Sequence, residues 1–208
     1  VDIDWIQAED VEGLLGENRL RDLDGIVIPG GFGERGVEGK IAAAGFAREN
    51  EVPCLGLCLG LQCMTIEFAR NVLGLERAHS SEFDPSSPHP VIDLMESQRD
   101  VSDKGGTMRL GQYACQLAEK SRAWQIYNSD IVHERHRHRY EFNRAYEQTL
   151  AEHGLLGSGE SPDGKFVEVI ELPNHPWFIA VQFHPEFNSR PGYPEHVFKA
   201  FTTAANQN

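Results

Sequence analysis

The stretch Val52-Pro-Cys-Leu-Gly-Leu-Cys-Leu-Gly-Leu-Gln62 passes from a short apolar run into a helix-like pattern, with Cys58 at the change. This order indicates a strand that turns sharply into a helix and holds the residue at the turn in a strained backbone conformation. Gly56 and Gly60 lie two positions to either side, where the lack of a Cβ lets neighbouring backbones pass closely. The side chain of Cys58 is therefore predicted to stand clear of the sheet, at the start of the following helix.

That position favours a reactive thiol. The N-terminus of a helix favours negative charge, and it lowers the pKa of a cysteine from its free value of about 8.5. Because the thiolate is the nucleophilic form, the sequence predicts Cys58 as a nucleophile. On this motif alone the alternative stays open that Cys58 is one more small buried residue.

A second segment, Phe178-Ile-Ala-Val-Gln-Phe-His-Pro-Glu-Phe187, begins as a buried strand. His184 and Glu186 are two residues apart, so on an extended chain they point to the same side. An imidazole held by a carboxylate is the general-base half of a nucleophilic triad. Together the two segments predict a catalytic triad of Cys58, His184 and Glu186.

Composition narrows the class of protein. The 208 residues fit one domain, with 40% hydrophobic and 25% charged residues. No apolar run approaches the roughly 20 residues of a membrane span, and a net charge of −13 argues against nucleic acid or an anionic membrane as partner. The four cysteines show no C-x-x-C pair, which favours a reducing, cytoplasmic location without disulfides or a structural zinc.

Periodicity predicts an α/β fold: a central, mostly parallel mixed sheet flanked by helices, with a smaller antiparallel part. The last two strands are close in sequence and are expected to pair antiparallel. Residues 97–107 are predicted as a mobile loop and 3–6 as a short strand, and the abrupt start predicts that N-terminal elements and a whole domain are missing. Strands are predicted at 23–28, 52–57, 90–95, 108–117, 132–142, 166–172 and 178–183, and helices at 38–50, 60–72, 143–153 and 194–205.

Gly-x-Cys-x-Gly with a late His-Pro-Glu resembles the class I, triad-type glutamine amidotransferases. Further segments make the chain similar to the glutaminase domain of the cytidine triphosphate synthase family, from about Trp5 to Ala205. These segments are Pro29-Gly-Gly-Phe-Gly-Glu-Arg-Gly-Val-Glu-Gly39-Lys40, Ser80-Ser-Glu-Phe83, Gly106-Thr-Met-Arg-Leu-Gly111, Glu134-Arg-His-Arg-His-Arg-Tyr-Glu141 and Asn174-His-Pro-Trp177.

The resemblance implies that Cys58 attacks the side-chain amide of glutamine, giving a γ-glutamyl thioester. It implies that His184, supported by Glu186, protonates the leaving ammonia and then activates water. The backbone N–H groups of Gly31 and Leu59 would hold the oxyanion, and both residues would contact glutamine.

The resemblance also assigns the charged ends of the substrate. Gln62 and Glu82 would hold the α-amino group, and Arg139 would lie by the α-carboxylate. The chemistry fits, because a carboxylate complements an ammonium and a guanidinium fork complements a carboxylate.

The arginine–histidine run over 135–140 has several interpretations. On a strand its histidines and Tyr140 face one way and its arginines the other. A metal site would need a second cluster of ligands, which the run lacks. Nucleic-acid binding is opposed by the negative net charge. The favoured interpretation is therefore a face that serves the glutamine pocket, a contact between domains or a nucleotide. In the resembled family guanosine triphosphate activates the glutaminase, with Phe32, Arg35 and Gly39 as candidate contacts here.

The implied partners follow. Glutamine hydrolysis needs no cofactor, whereas ATP, Mg²⁺ and uridine triphosphate belong to the absent synthase domain, which would receive the ammonia. The full-length protein is expected to be a homo-oligomer, a tetramer. Two alternatives stay open: a glutaminase of another synthase or a γ-glutamyl hydrolase, and a regulatory module that binds glutamine without catalysis.

Overall fold

The computed structural model describes residues 1–12, 14–94 and 108–208, so the predicted loop at 97–107 lies outside the described residues. In this part of the chain the strands are β1 Ile26–Ile28, β2 Cys54–Leu57, β3 Ala78–Ser80, β4 His89–Leu94, β5 Arg109–Leu117, β6 Ile131–His138, β7 Tyr140–Phe142, β8 Leu156–Glu160, β9 Val167–Glu171 and β10 Phe178–Val181. The helices are α1 Leu14–Leu20, α2 Val37–Glu49, α3 Leu59–Asn71, α4 Arg122–Tyr127, α5 Glu147–Glu152 and α6 His196–Ala205. Short 3₁₀ turns lie at Ala8–Val11, Arg144–Tyr146 and Pro185–Phe187.

The described strands form a seven-stranded sheet in the order β1-β2-β10-β9-β8-β5-β6 and a three-stranded sheet in the order β3-β4-β7. The large sheet is mixed, as predicted, and β9 and β10 are antiparallel, as predicted. The expectation of a mostly parallel sheet is wrong in detail, since only β1–β2 and β2–β10 are parallel among its pairings. One reason is local: β1 and β2 are joined through helix α2, whereas β8–β9 and β9–β10 are joined by the short connections 161–166 and 172–177, which favour antiparallel pairing.

Two apolar layers cover the large sheet. Helices α2 and α3 pack on one face and α4 and α6 on the other, and β2 and β10 between them are buried along their whole length. Helix α3 is buried from Leu59 to Ala69, so the element that begins at Cys58 lies inside the protein. Because α3 is packed on all sides, its first turn is held in place more firmly than the first turn of an exposed helix. No helix in the described ranges is long and apolar enough to cross a membrane.

Some boundaries differ from the predicted ones. Residues 3–6 form no strand, and the chain after them makes a 3₁₀ turn that packs on α2. The predicted strand 132–142 is two strands of different sheets, separated at Arg139. The predicted helix at 143–153 begins as a 3₁₀ turn, with Asn143 accepting the N–H of Ala145 as its cap. Elements α1, α4, β3 and β8 are short and carry no clear periodicity, which is why the sequence did not predict them.

Candidate active site

The turn at Cys58 has the predicted strained geometry. Strand β2 ends at Leu57, helix α3 begins at Leu59, and Cys58 between them has φ 51° and ψ −103°. A non-glycine residue at positive φ is uncommon and must be held by its surroundings. Here the N–H of Cys58 donates to the carbonyl of Val181 at 2.8 Å, which ties the turn to the end of β10.

The two flanking glycines are required by close packing, as predicted. A Cβ on Gly56 would lie 2.4 Å from the sulfur of Met64 and 2.9 Å from the backbone of Gly60. A Cβ on Gly60 would lie 2.2 Å from the carbonyl oxygen of Ile28. Both distances are far shorter than any real contact, so α3 crosses β1 and β2 at backbone distance.

His184 and Glu186 form a pair at the end of β10. The Nδ1 of His184 lies 2.6 Å from Glu186 Oε1, and the N–H of His184 donates to the carbonyl of Arg135 at 2.8 Å. Burial alone lowers the pKa of His184, but the neighbouring Cys58 and Glu186 outweigh it and raise that pKa to about 9. The ring is thus set to hold a proton beside the sulfur.

Gly30 packs against both the nucleophile and the base. A Cβ on Gly30 would lie 3.1 Å from Cε1 of His184 and 3.4 Å from Cβ of Cys58. A side chain at position 30 would therefore press on the imidazole and the cysteine at once. Gly30 belongs to the family segment 29–40, but it had no predicted role.

A cleft opens beside Cys58, with a volume of about 380 Å³ that includes its open mouth; His184 and Glu186 are not among the residues that line it. It brings together most of the residues predicted for the reaction and for glutamine. Its lining consists of Gly31, Phe32, Cys58, Leu59, Gln62, Glu82, Met108, His138, Arg139 and Tyr140. Three of these, Met108, His138 and Tyr140, had no predicted role in binding.

The two residues predicted for the oxyanion, Gly31 and Leu59, lie in this lining beside Cys58. Leu59 is the first residue of α3, and the first N–H groups of a helix have no partner within it. A Cβ on Gly31 would lie 3.2 Å from Nζ of Lys40, which also donates to the carbonyl of Pro29 at 3.4 Å. Lys40 thus supports the glycine turn, a role that its place in the motif did not reveal.

The residues predicted to read the ends of glutamine, Gln62, Glu82 and Arg139, also line this cleft. Burial raises the pKa of Glu82, and the positive charge of Arg139 opposes that rise. Glu82 and Arg139 are therefore close enough to interact. Gln62 is buried, and its Nε2 donates to the carbonyl of Tyr140 at 3.2 Å.

The predicted alternation along the arginine–histidine run holds for β6 and then fails. Residues 131–138 alternate exposed and buried, with His136 and His138 pointing inward. Arg139 lies at the break between β6 and β7, and it lines the same cleft as His138 and Tyr140. The break corrects the expectation that Arg139 faces away from them, and it places Arg139 in the lining of the cleft.

Behind β6 lies a buried polar cluster of Arg109, His136, His138, Glu141 and Glu168. Burial lowers the pKa of His136 to about 2 and that of His138 to about 3, and neighbouring positive groups add to this. Burial raises the pKa of Glu168 to about 7 although Arg109 opposes it. The histidines are neutral, and the described residues contain no group of three or more His, Cys, Asp or Glu arranged to hold a metal ion.

The three candidate nucleotide contacts do not share one environment. Phe32 is 61% exposed, with the guanidinium of Arg137 5.1 Å from its ring centre. Arg35 is exposed and paired with Glu9. Gly39 is covered by protein, because a Cβ there would lie 1.8 Å from the carbonyl oxygen of Ala8. Close packing thus accounts for the glycine at position 39.

The sequence profile of the class-I glutamine amidotransferases matches residues 1–204. A CTP synthase of Geobacillus kaustophilus is 58% identical over 205 residues, which are 99% of this chain and 39% of that protein. A CTP synthase of Bacillus subtilis is 55% identical over 215 residues and 39% of its length. The chain thus spans about two fifths of the curated relatives it matches.

Solved structures agree with this. The glutaminase domain of Trypanosoma brucei CTPS, with bound acivicin, superposes with a TM-score of 0.93 and is 42% identical, covering all of this chain and 81% of that one. A glutamine amidotransferase of Methylobacillus flagellatus reaches a TM-score of 0.52 at 15% identity, covering 80% and 53% of the two chains. The second likeness concerns the fold alone.

Proposed function

The chain belongs to the class-I glutamine amidotransferase family, and from this we propose that it is the glutaminase domain of a CTP synthase, hydrolysing L-glutamine to glutamate and ammonia. The observation that carries the proposal is the pairing of His184 with Glu186 at 2.6 Å, with His184 and Cys58 both packed against Gly30. The three triad residues come from two separate parts of the fold, the β2–α3 turn and the segment after β10.

In the first step the sulfur of Cys58 attacks the side-chain amide carbon of glutamine. The carbonyl oxygen becomes an oxyanion, which the N–H groups of Gly31 and Leu59 would stabilise; one such donor is typically worth about 10²–10³ in rate. The proton held by His184, whose pKa is about 9, passes to the departing nitrogen. Ammonia leaves, and the γ-glutamyl group remains on Cys58 as a thioester.

In the second step His184, now neutral, takes a proton from water. The hydroxide so formed attacks the thioester carbon, and the Cys58 sulfur leaves as glutamate forms. Glu186 holds the imidazole in one orientation throughout, through its bond to Nδ1. Because Nδ1 is held by Glu186, Nε2 is the ring nitrogen that remains to exchange protons in both steps.

Glu82, Gln62 and Arg139 are proposed to hold the substrate. The carboxylate of Glu82 and the Oε1 of Gln62 would accept from the α-ammonium, and Arg139 would donate to the α-carboxylate. Because these groups line the same cleft as Cys58, a glutamine whose amino-acid end is held by them can present its amide to the sulfur.

The test is to treat the chain with acivicin, a glutamine analogue, and with glutamine itself. Mass spectrometry should find one modification, at Cys58, and Cys58→Ala should abolish both labelling and glutamate release. Cys63→Ala is the matched control, because Cys63 lies five residues further on, within α3 and outside the cleft lining, and burial raises the pKa of its thiol to about 12. It should keep both activities.

Three other results would count against the proposal. Labelling at Cys54, Cys63 or Cys115 instead of Cys58 would contradict the assigned nucleophile. Labelling at Cys58 without glutamate release would favour a glutamine-binding regulatory module. Release of glutamate from γ-glutamyl peptides but not from glutamine would favour a γ-glutamyl hydrolase.

The proposed whole protein includes a synthase domain, to which the ammonia passes for the ATP- and Mg²⁺-dependent amination of UTP to CTP. The relatives' greater length supports this. A cytoplasmic homotetramer is the proposed assembly.

Guanosine triphosphate is the proposed activator, with exposed Phe32 beside Arg137 as its best-placed contact. Joining the synthase half of a relative to this chain should raise glutamine hydrolysis and make it rise further with guanosine triphosphate; an unchanged rate would contradict the assignment.

A further inference from the structure

Gln182 is a buried amide in contact with the nucleophile. It follows β10 directly, its side chain is fully buried, and its Nε2 lies 3.7 Å from the sulfur of Cys58. Its backbone N–H donates to the carbonyl of Glu168 at 2.8 Å, which fixes the residue against β9. A fully buried polar side chain must find partners for its polar atoms, and here one of them is the reacting sulfur.

The direction of this amide is set by a series of hydrogen bonds. The first acceptor in the series is the backbone carbonyl of Tyr140. Because a carbonyl can only accept, Gln62 must present its NH₂ group there, at 3.2 Å. The same NH₂ group donates to Oε1 of Gln182 at 3.4 Å. Gln182 therefore turns its own NH₂ group to Cys58. The reverse orientation would set two NH₂ groups against each other and an oxygen against the sulfur.

We propose that Gln182 stabilises the thiolate of Cys58 by donating a hydrogen bond from Nε2, and that it links the sulfur to the substrate-reading residue Gln62. The inference deepens the proposed function and rests on it, since it concerns the nucleophile of that reaction. A hydrogen bond to an ionised group is about twice as strong as one between neutral groups. An amide also takes up no proton near neutral pH, so it supports the thiolate without competing with His184 for the base role.

The link to Gln62 gives the contact a second consequence. Both hydrogens of Gln62 Nε2 are used, one on Tyr140 and one on Gln182, so Oε1 is the atom that remains to face the substrate. An ammonium bound at that oxygen polarises the amide and makes its N–H groups better donors. Each donor in the chain strengthens the next, so the negative charge on Cys58 is better stabilised when the amino-acid end of glutamine is in place.

The test compares Gln182→Met, which keeps length but removes the donor, and Gln182→Glu, which replaces the donor with an acceptor. The rate of Cys58 alkylation by iodoacetamide is followed by mass spectrometry across pH. Gln182→Met should move the midpoint of the rate up by about one pH unit and lower kcat about tenfold, with a smaller change in KM. Gln182→Glu should move the midpoint further in the same direction.

Thr65→Val is the matched control. Thr65 is fully buried on the same helix as Gln62, and its hydroxyl donates to the carbonyl of Leu61 at 2.9 Å without contacting the sulfur. It should leave the midpoint and kcat unchanged. A midpoint and kcat for Gln182→Met equal to those of the unaltered chain would overturn the proposal.

A measurement without substitution covers the case in which these variants do not fold. The side-chain amide ¹⁵N and ¹H resonances of Gln182 should shift with pH at the same midpoint as Cys58 alkylation, and a resonance that does not titrate would overturn the proposal. Failure of the proposed function looks different, since the unaltered chain would then not react with acivicin at Cys58 at all. An active, labelled chain with unaffected Gln182 variants rejects only the role of Gln182.

Discussion

At the scale of single residues, the proposed reaction depends on the proton that His184 holds. Cys58 and Glu186 together raise its pKa to about 9 against the effect of burial. In the proposed mechanism the protonated ring donates to the leaving ammonia, so kcat/KM should fall as the pH rises through about 9.

Glu186→Gln should move this alkaline fall to lower pH, because it removes one of the two groups that raise the pKa of His184. It should also lower kcat by roughly 10² to 10⁴, since the imidazole loses the partner that sets its tautomer. The check is kcat/KM measured from pH 6 to 10. An unmoved alkaline limb in the variant would show that Glu186 does not act through His184.

Gly30→Ala should place a methyl group between the base and the nucleophile, 3.1 Å from the His184 ring. We expect kcat to fall by about tenfold or more with little loss of stability, because small displacements of reacting groups have large effects on rate. Gly33→Asn is the control: Gly33 has φ 82°, which asparagine tolerates, and nothing lies within 4 Å of its Cβ direction. Equal kcat in the two variants would contradict the claim that a side chain at position 30 disturbs the base and the nucleophile.

The sequence predicted the triad but not the groups that hold it. Cys58, His184 and Glu186 carry local signatures, namely flanking glycines and a carboxylate two residues from a histidine. Gln182 and Gly30 act through contacts with residues far along the chain, and such contacts leave no local pattern. Only the folded arrangement shows that Gly30 is the glycine of the segment 29–33 that packs against Cys58 and His184.

At the scale of elements, the turn Pro185–Phe187 is held to β6 by a side-chain bond. Asn188, which follows the turn, donates from Nδ2 to Oε2 of Glu134 at 2.6 Å. Burial and the charge of Glu195 raise the pKa of Glu134 to about 7, and the bond from Asn188 opposes this rise. The bond thus anchors the segment that carries Glu186.

Asn188→Ala should lower kcat about tenfold by loosening Glu186, and lower the free energy of unfolding by about 1–3 kcal/mol, because Glu134 loses its donor. Asn71→Ala is a matched control, since Asn71 donates to the buried Glu67 at 3.0 Å on a helix end away from the cleft. It should lose stability but keep kcat. Urea unfolding and initial rates measure both; an Asn188 variant that keeps full kcat would contradict the anchoring role.

Elements with strong periodicity were predicted to within a few residues, as with α2 and α3. Their arrangement was less accessible. The alternating pattern of the arginine–histidine run continues to Tyr140, so nothing in it marks the break at Arg139. The sheet was predicted to be mostly parallel because the first connection, from β1 to β2, is helical. The connections from β8 to β9 and from β9 to β10 are short instead, and these strands pair antiparallel.

At the scale of the whole molecule, buried ionisable groups determine how stability depends on pH. His136 and His138 have lowered pKa values, so the unfolded chain binds more protons as the pH falls below 6.5, and stability is lost there. His184 has a raised pKa, so its contribution is complete below 6.5 and is lost as the pH rises to about 9. The pKa values of Glu134 and Glu168 are raised to about 7, so the stabilisation that these two groups provide is also lost as the pH rises from 4.5 to 7.

Between about pH 4.5 and 6.5 the two histidines and the two carboxyls offset each other, so the chain should be most stable in this range and lose stability on both sides, measurably by pH 9 and below pH 4.5. Thermal unfolding midpoints across this range at constant ionic strength provide the check. His184→Gln should flatten the decline between pH 6.5 and 9, since it removes the group that titrates there. A midpoint that rises between pH 7 and 9 would contradict the assignment.

The positive φ of Cys58 implies a compromise between thermal stability and catalysis. In most places glycine makes a chain less stable than alanine, but at position 58 the order should invert, because only glycine adopts that conformation without strain. Cys58→Gly should melt at a higher temperature than Cys58→Ala, and neither would turn over glutamine. The working protein thus forgoes part of its thermal resistance to keep one sulfur atom in reach of its substrate.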